Sequence, residues 1–474
     1  MLRTAAWLGA LAALAAGCAG DETDDARAAQ LSLFLARDMQ ALAFSRPRQL
    51  DLRFAAMALS PFRFLRGTEA LYTRDMRDPA LPFAQTRLTA PALVLLQGDA
   101  HLENVGTFVG GRVELNDFDA AGYGPPWWEV RRAGAALLVG LREAAPGVVA
   151  EDTVVARMAS AYASTLAAGE RTGLGASDVG AVVGKRLTSA ESDGQARREL
   201  ADYTTITPAG RRLVRGGTDP ADPREALLDV PLAVQDALPT AIARYRATLW
   251  SDPFTPGHFA LKDAARRCGQ GVGSLTAVRF YALLEGPTSS DDDDVLVQLK
   301  ETDDASLDVD LVYGASGPSQ AARVVDRQRR LQSTPDADPL LGHTRLLDLP
   351  IVVTSVTGFQ KTVRITDLAD RSADDVLRFA ADVGMLLARS EARGLTVDGE
   401  SAWPALSAWL TGHEDVFVAE SVSAARAYAD LVVADHARFV QLLATRGPGL
   451  GLTPSTNDIP RDDPARAVLD PPCP

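Results

Sequence analysis

Lysine is nearly missing from this 474-residue chain: of 48 basic residues only four are lysines, Lys185, Lys262, Lys300 and Lys361. An arginine-for-lysine bias of that size is a matter of genome composition, but it makes each remaining lysine worth tracing. Positive charge is short overall. The formal net charge of -14 excludes non-specific binding to nucleic acid or to an anionic membrane surface, since both need a basic footprint. Cysteine is equally scarce, at Cys18, Cys268 and Cys473, and there are only five histidines. Internal repeats are absent. What is there is 46% hydrophobic and 23% charged, the balance of a soluble globular protein. The length is enough for two or three domains or lobes.

The first residues, "MLRTAAWLGALAALAAGCAG", stand apart from the fold. Arg3 gives a short positive region, Ala5 to Ala16 an apolar stretch, and small residues precede Cys18. This is a secretory signal, too short for a permanent membrane span. Its "LAAGC" ending resembles the lipobox of bacterial lipoproteins, which implies a lipid on Cys18 as the only membrane attachment. An ordinary signal peptide containing a cysteine is the plainer alternative. The expected location is the cell envelope, with the soluble part outside the cytoplasm. The acidic "GDETDD" that follows is a solvated tether. Cys268 and Cys473 are either a disulfide or two free thiols, and spacing does not decide between them.

Along the chain, the expected divisions are a signal at 1–18, a tether at 19–30, a helical lobe at 31–257, a small β-rich lobe at 258–365, helices at 366–446 and an irregular tail at 447–474. Leu31, Leu35, Met39 and Leu42 fall on one helical face. "ALVLLQ" is a short apolar strand or helix end, and "VGTFVGGRVELND" is a hairpin turning at Gly110-Gly111. Helix is predicted from Trp127 to Arg142 behind Pro125-Pro126, and mostly helix from 152 to 250. "GQGVGSLTAVRFYALLEG", "PTSSDDDD" and "VLVQLKE" read as glycine-rich turn, strand, solvated hairpin tip and strand. "QAARVVDRQRRLQ" is an amphipathic helix, and "IVVTSVTGFQKTVRI" a β-pair, giving a five-stranded small lobe.

The chemistry is concentrated in "GDAHLEN" and "NDFD". Phosphoryl transfer asks for a carboxylate to orient a hydroxyl, oxygen ligands for magnesium and cations over the phosphates. Magnesium takes carboxylate and amide oxygens and fills its other positions with water and phosphate. Asp99 suits the first role, and Asn104 and Asp117 suit the second, with Asp119 beside them. Glu129 is placed to brace the loop, while His101 and Glu103 read as loop-orienting groups.

These two motifs resemble the catalytic loop and metal-binding aspartate of the protein-kinase-like superfamily, above all its aminoglycoside-phosphotransferase branch. More closely, "SPFRFLRGT", "GDAHLENVG", "NDFD", "GVGS", "VQLKE" and "RVVDRQRRLQ" together resemble the bacterial family called domain of unknown function 2252. The kinase resemblance implies a two-lobed α+β fold, magnesium or manganese, and ATP or another nucleotide. It implies Asp99 as the base and Asn104 and Asp117 at the metal; His101 joins the catalytic candidates and Asp119 the metal candidates by their place in the acidic cluster, not through the resemblance. Lys300 would meet the phosphates, Gly271, Gly273 and Ser274 would cover them, and Asp326 would pair with Lys300. Kinases carry the glycine turn and lysine first; here they come last, so the resemblance implies a circular permutation. Asp119 also stands where those proteins have glycine. For Asp326, pairing with Arg323 or Arg330 is the simpler reading.

Three functions stay open: a phosphotransferase whose small-molecule or protein substrate is unknown, a metal-dependent hydrolase using Asp99, His101, Asp117 and Asp119, and an idle kinase-like binding protein. One histidine in the cluster is thin provision for zinc. ATP, for its part, is scarce outside the cytoplasm.

Overall fold

The computed structural model describes residues 26–89, 92–217, 226–250, 256–268, 272, 277–302, 319–333 and 337–452. Cys18, Gly271, Gly273, Ser274 and Cys473 lie outside them, so the lipid anchor and the glycine turn are not among the described features. Cys268 is held in a disulfide, and its expected partner, Cys473, is outside the described residues.

Helix and sheet segregate, and the architecture is α+β. The helices that shape the site are α1 (Pro61–Gly67), α2 (Pro126–Ala144), α3 (Glu151–Ala168), α4 (Leu232–Arg246), α5 (Gln320–Leu331), α6 (Ala373–Arg393) and α7 (Glu414–Arg446). Helix α6 packs along α3, and α7 along α2. The periodicity of α6 explains its burial: Val376, Phe379, Ala380, Val383, Leu386 and Leu387 fall on one face and all enter the large core. Ser372 caps it by accepting from the Asp375 N–H at 3.1 Å. Helix α2 is buried nearly all round, because other helices and the loop after residue 98 enclose it. Leu31, Leu35 and Met39 join the same core, as their spacing predicts.

Two short pairs support the acidic segment. Strand β1 (Val94–Leu96) pairs with β4 (Gly122–Gly124), and β2 (Val105–Phe108) pairs with β3 (Arg112–Leu115) through the Gly110-Gly111 turn. Phe108 pairs with Arg112, so Val109, Gly110 and Gly111 form a three-residue loop, in which both glycines have positive φ. Among the described residues the main sheet has seven strands: β5 (Gly216–Gly217), β6 (Ala226–Asp229), β7 (Leu261–Arg267), β8 (Arg279–Leu284), β9 (Val295–Glu301), β10 (Gly342–Leu346) and β11 (Leu349–Ser355). They lie in the order β10-β11-β9-β8-β7-β6-β5, all antiparallel. Val297 and Leu299 of β9 pack on one face with Val234, Leu238 and Tyr245 of α4. Leu296 packs on the other face with Leu200, Leu213 and Leu283. Lys300 follows on that second face by strand alternation.

Several expectations are corrected. Five of the sheet's strands, β7 to β11, fall within the expected small lobe, but the sheet also draws on residues before 258: β5, β6 and covering helix α4 all precede that boundary. The stretch from 204 to 217, inside the region expected to be mostly helix, forms a hairpin (Thr204–Thr207 with Gly210–Leu213) and strand β5. Only the first half of "IVVTSVTGFQKTVRI" is strand; its second half touches β2 through the isolated Gly106–Thr362 bridge. Nor is the tetra-aspartate turn simply solvated. Asp294 is fully buried, and Lys262 reaches both it (2.9 Å) and Asp291 (2.7 Å).

Helix α5 joins the two parts. Its Val324, Val325 and Leu331 enter the helical core while it also lies against β10 and β11. Arg46 grips Glu301 of β9 with bonds of 2.6 and 3.1 Å, both side chains buried.

Candidate active site

The loop after β1 is held from behind. Glu129, one turn into α2, accepts from the Gln97 and Gly98 backbone N–H groups, each at 2.8 Å. Gln97 is 1% exposed and works in three directions. Its amide nitrogen donates to the carbonyls of Asn116 (3.0 Å) and Asp117 (2.5 Å), and its amide oxygen accepts from Asp99 N–H (3.0 Å). One buried amide therefore fixes the loop carrying Asp99 against the strand end carrying Asp117. Gly98 has φ +92, and a Cβ there would sit 2.1 Å from the Ala120 carbonyl oxygen. Only glycine allows the two segments to meet so closely.

Asp99 is anchored by Arg132 of α2, whose Nε donates to Oδ1 at 2.9 Å. The other oxygen, Oδ2, lies 3.6 Å from His101 Nε2. Asn104 commits its amide nitrogen to the Asp99 carbonyl at 2.9 Å, which leaves its oxygen as the free end of the amide. Asp117 has φ +56, a left-handed conformation that aspartate tolerates better than most residues. Gln97 holds that conformation by pinning its carbonyl.

Lys300 reaches this cluster from the sheet, 183 positions along the chain from Asp117. Its Nζ donates to Asp117 Oδ1 at 3.1 Å and is also ion-paired to Asp119. Arg279, directly opposite Lys300 in the β8–β9 register, adds a second cation whose charge acts on both aspartates.

The titration directions follow from this crowding. Desolvation by its crowded neighbours would raise Asp117, but Lys300, Arg279 and Arg66 outweigh it and hold the carboxyl below its usual range. At Asp119 burial prevails over Lys300 and the shift is upward. Burial also raises Asp99 against the pull of Arg132, and the Asp117 charge adds to the rise. His101 is driven well down, by burial and then by Arg66 and Arg132, so the ring is neutral.

Asp99, His101, Asn104, Asp117, Asp119 and Lys300 are thus brought together. Asp326 is not. It lies on the exposed face of α5 and bonds Arg330 at 2.8 Å, because the buried face at 321, 324, 325, 328 and 331 excludes position 326. Glu103 is a bracing group: it pairs with Arg66 of α1 and accepts from the Ile365 N–H at 3.0 Å. Sequence reading missed Gln97, Arg132 and Arg279. The signal for the two arginines was present, since "EVRRAGAALLVG" and "VRFYALL" place charge inside apolar runs, where burial demands a partner.

Among the described residues no group of three or more His, Cys, Asp or Glu is placed to hold a metal. A zinc site built from protein ligands needs three or four such groups. The hard oxygens of Asn104 and Asp117 instead fit magnesium, which takes few protein ligands and completes its shell with water and phosphate.

No curated protein and no solved structure matches the chain. The family described as "Uncharacterized protein conserved in bacteria (DUF2252)" matches residues 45–442, which include every residue of the cluster. The chain belongs to that bacterial family.

Proposed function

We propose that this chain is a lipid-anchored envelope protein with a metal-dependent phosphotransferase site, built as a circularly permuted kinase-like fold. The observation that carries the reading is the contact of Lys300 with Asp117 and Asp119. An acidic half and a cationic half, far apart in sequence, meet at one point, as a metal-phosphate site requires. In this reading Asn104 and Asp117 hold magnesium or manganese, which would neutralise charge on the phosphates of ATP or another nucleotide. Lys300 and Arg279 face those phosphates, and Asp99 orients the acceptor hydroxyl. One Asp99 oxygen is tied to Arg132, which suits an orienting carboxylate better than a strong base.

The hydrolase alternative is weaker on chemistry. His101 is buried, neutral and directed at Asp99, so it is poorly placed to share a metal with Asp117 and Asp119. Thermal denaturation with manganese plus ATP tests the proposal. A ligand-induced rise in Tm that needs both components, and disappears in Asp117→Ala, is the expected result. Nucleotide stabilisation that is indifferent to metal would sink it.

A further inference from the structure

Lys300 has two carboxylate partners, and the proposed metal needs one of them. Asp117 is the carboxylate prepared for ligation. Its carbonyl is fixed by Gln97, its side chain is 45% exposed, and its charge reaches Asp99. Asp119 is less open, at 33%, and follows Phe118, which is 2% exposed and anchors the turn. The lysine itself is only 12% exposed and stands opposite Arg279 in the sheet, so like charge acts on it from the neighbouring strand. An ammonium in that setting needs an anion at all times.

We infer that Asp119 is the resident counter-ion of Lys300 and a positioning residue, not a metal ligand. A divalent cation takes Asp117 together with Asn104, and Lys300 stays on Asp119. The inference rests on the phosphotransferase reading and assigns the second aspartate its part in it. Without Asp119 the ammonium has only Asp117 to lean on, and lysine and metal then compete for one carboxylate. With Asp119 they do not.

The test titrates Mn2+ into the full chain and follows the free ion by its paramagnetic resonance signal. Asp119→Asn is expected to weaken Mn2+ binding about tenfold, and Asp119→Asn combined with Lys300→Met to return to within about threefold of Lys300→Met alone. A double variant that stays about tenfold weaker than Lys300→Met would make Asp119 a ligand and overturn the inference. Asp117→Asn should lose Mn2+ in every background. If it binds like the parent, or the parent does not bind Mn2+, the metal site itself is wrong and the inference falls with it. A second measurement does not depend on variants folding. With only four lysines, acylation of the parent followed by peptide mapping reports Lys300 directly. Protection of Lys300 that is unchanged by Mn2+ is expected; new labelling when Mn2+ is added would contradict the idea.

Discussion

Glu129 shows how much one buried side chain decides here. Burial raises its carboxyl to about 7 from an ordinary 4.5, against the N–H groups of Gly98 and Gln97, which pull it down. Between those values the folded protein keeps a proton that the unfolded chain has released. Stability contributed at this site therefore falls as pH rises from 4.5 towards 7, by about 1.4 kcal/mol per unit. Below that window both states are protonated, and above it both are ionised, so the dependence ends. Glu129→Gln removes the titration and turns an amide nitrogen towards a backbone N–H, at a cost of about 1–3 kcal/mol. Urea unfolding at pH 5 and pH 7 should show the stability gap between parent and variant shrinking as pH rises. A gap independent of pH would mean that Glu129 is ionised throughout. The carboxylate was legible in sequence as a brace for the loop. Its raised pKa was not, because that depends on the tertiary packing that buries it and on the Asp99 charge brought beside it.

At the scale of elements, the β1 loop and the Asp117 strand end are joined at Gly98. Gly98→Ala forces a Cβ to within 2.1 Å of the Ala120 carbonyl and imposes φ +92 on alanine. A loss of about 2 kcal/mol or more is expected, with loss of metal-dependent nucleotide stabilisation, since Asp99 and Asp117 must move apart. Gly110→Ala is the control: it also has positive φ but meets nothing within 4 Å, so only the backbone cost of about 1 kcal/mol applies. Equal effects would show that crowding at Gly98 is unimportant. The β2–β3 hairpin was readable because alternation and Gly110-Gly111 act locally. Strand β5 was not, because Gly216–Gly217 becomes a strand only by pairing with Ala226–Asp229; the Thr204–Thr207 and Gly210–Leu213 hairpin, by contrast, closes locally, and its β-branched Thr-Thr-Ile-Thr run was a signal the sequence reading missed. The second half of "IVVTSVTGFQKTVRI" has strand-like composition but pairs with β2 only through a single bridge at Thr362, flanked by backbone bonds at Lys361 and Val363, so its pattern finds no ladder.

For the whole molecule, the proposed anchor sets where the site works. No helix among the described residues is long and apolar enough to cross a membrane. Attachment in this reading rests on Cys18, and Cys18→Ser should move the protein from membrane to soluble fractions or block its maturation. A variant that fractionates and is processed like the parent would remove the lipoprotein reading. The two parts of the fold are held together by Arg46 and Glu301 and by α5, whose buried face serves both. That dual service explains Asp326. A helix with its apolar stripe committed inward cannot also turn position 326 towards Lys300.

Short-range order belonged to the sequence: the helical stripes, the glycine hairpin turn, the acidic loop and the rarity of Lys300 are all set within a few residues of themselves. Those features suffice to nominate Asp99, Asn104, Asp117 and Lys300 as chemically unusual. Which of them meet was decided by the tertiary structure. Lys300 touches Asp117 because seven antiparallel strands bring the end of β9 over the hairpin, and no local pattern encodes that register. Arg132 serves Asp99 because α2 runs behind the loop, and Gln97 ties both loops because burial leaves its amide no water to bond. Long-range partners of buried charge are chosen by which surfaces the core brings together, so they become visible only once the core has formed.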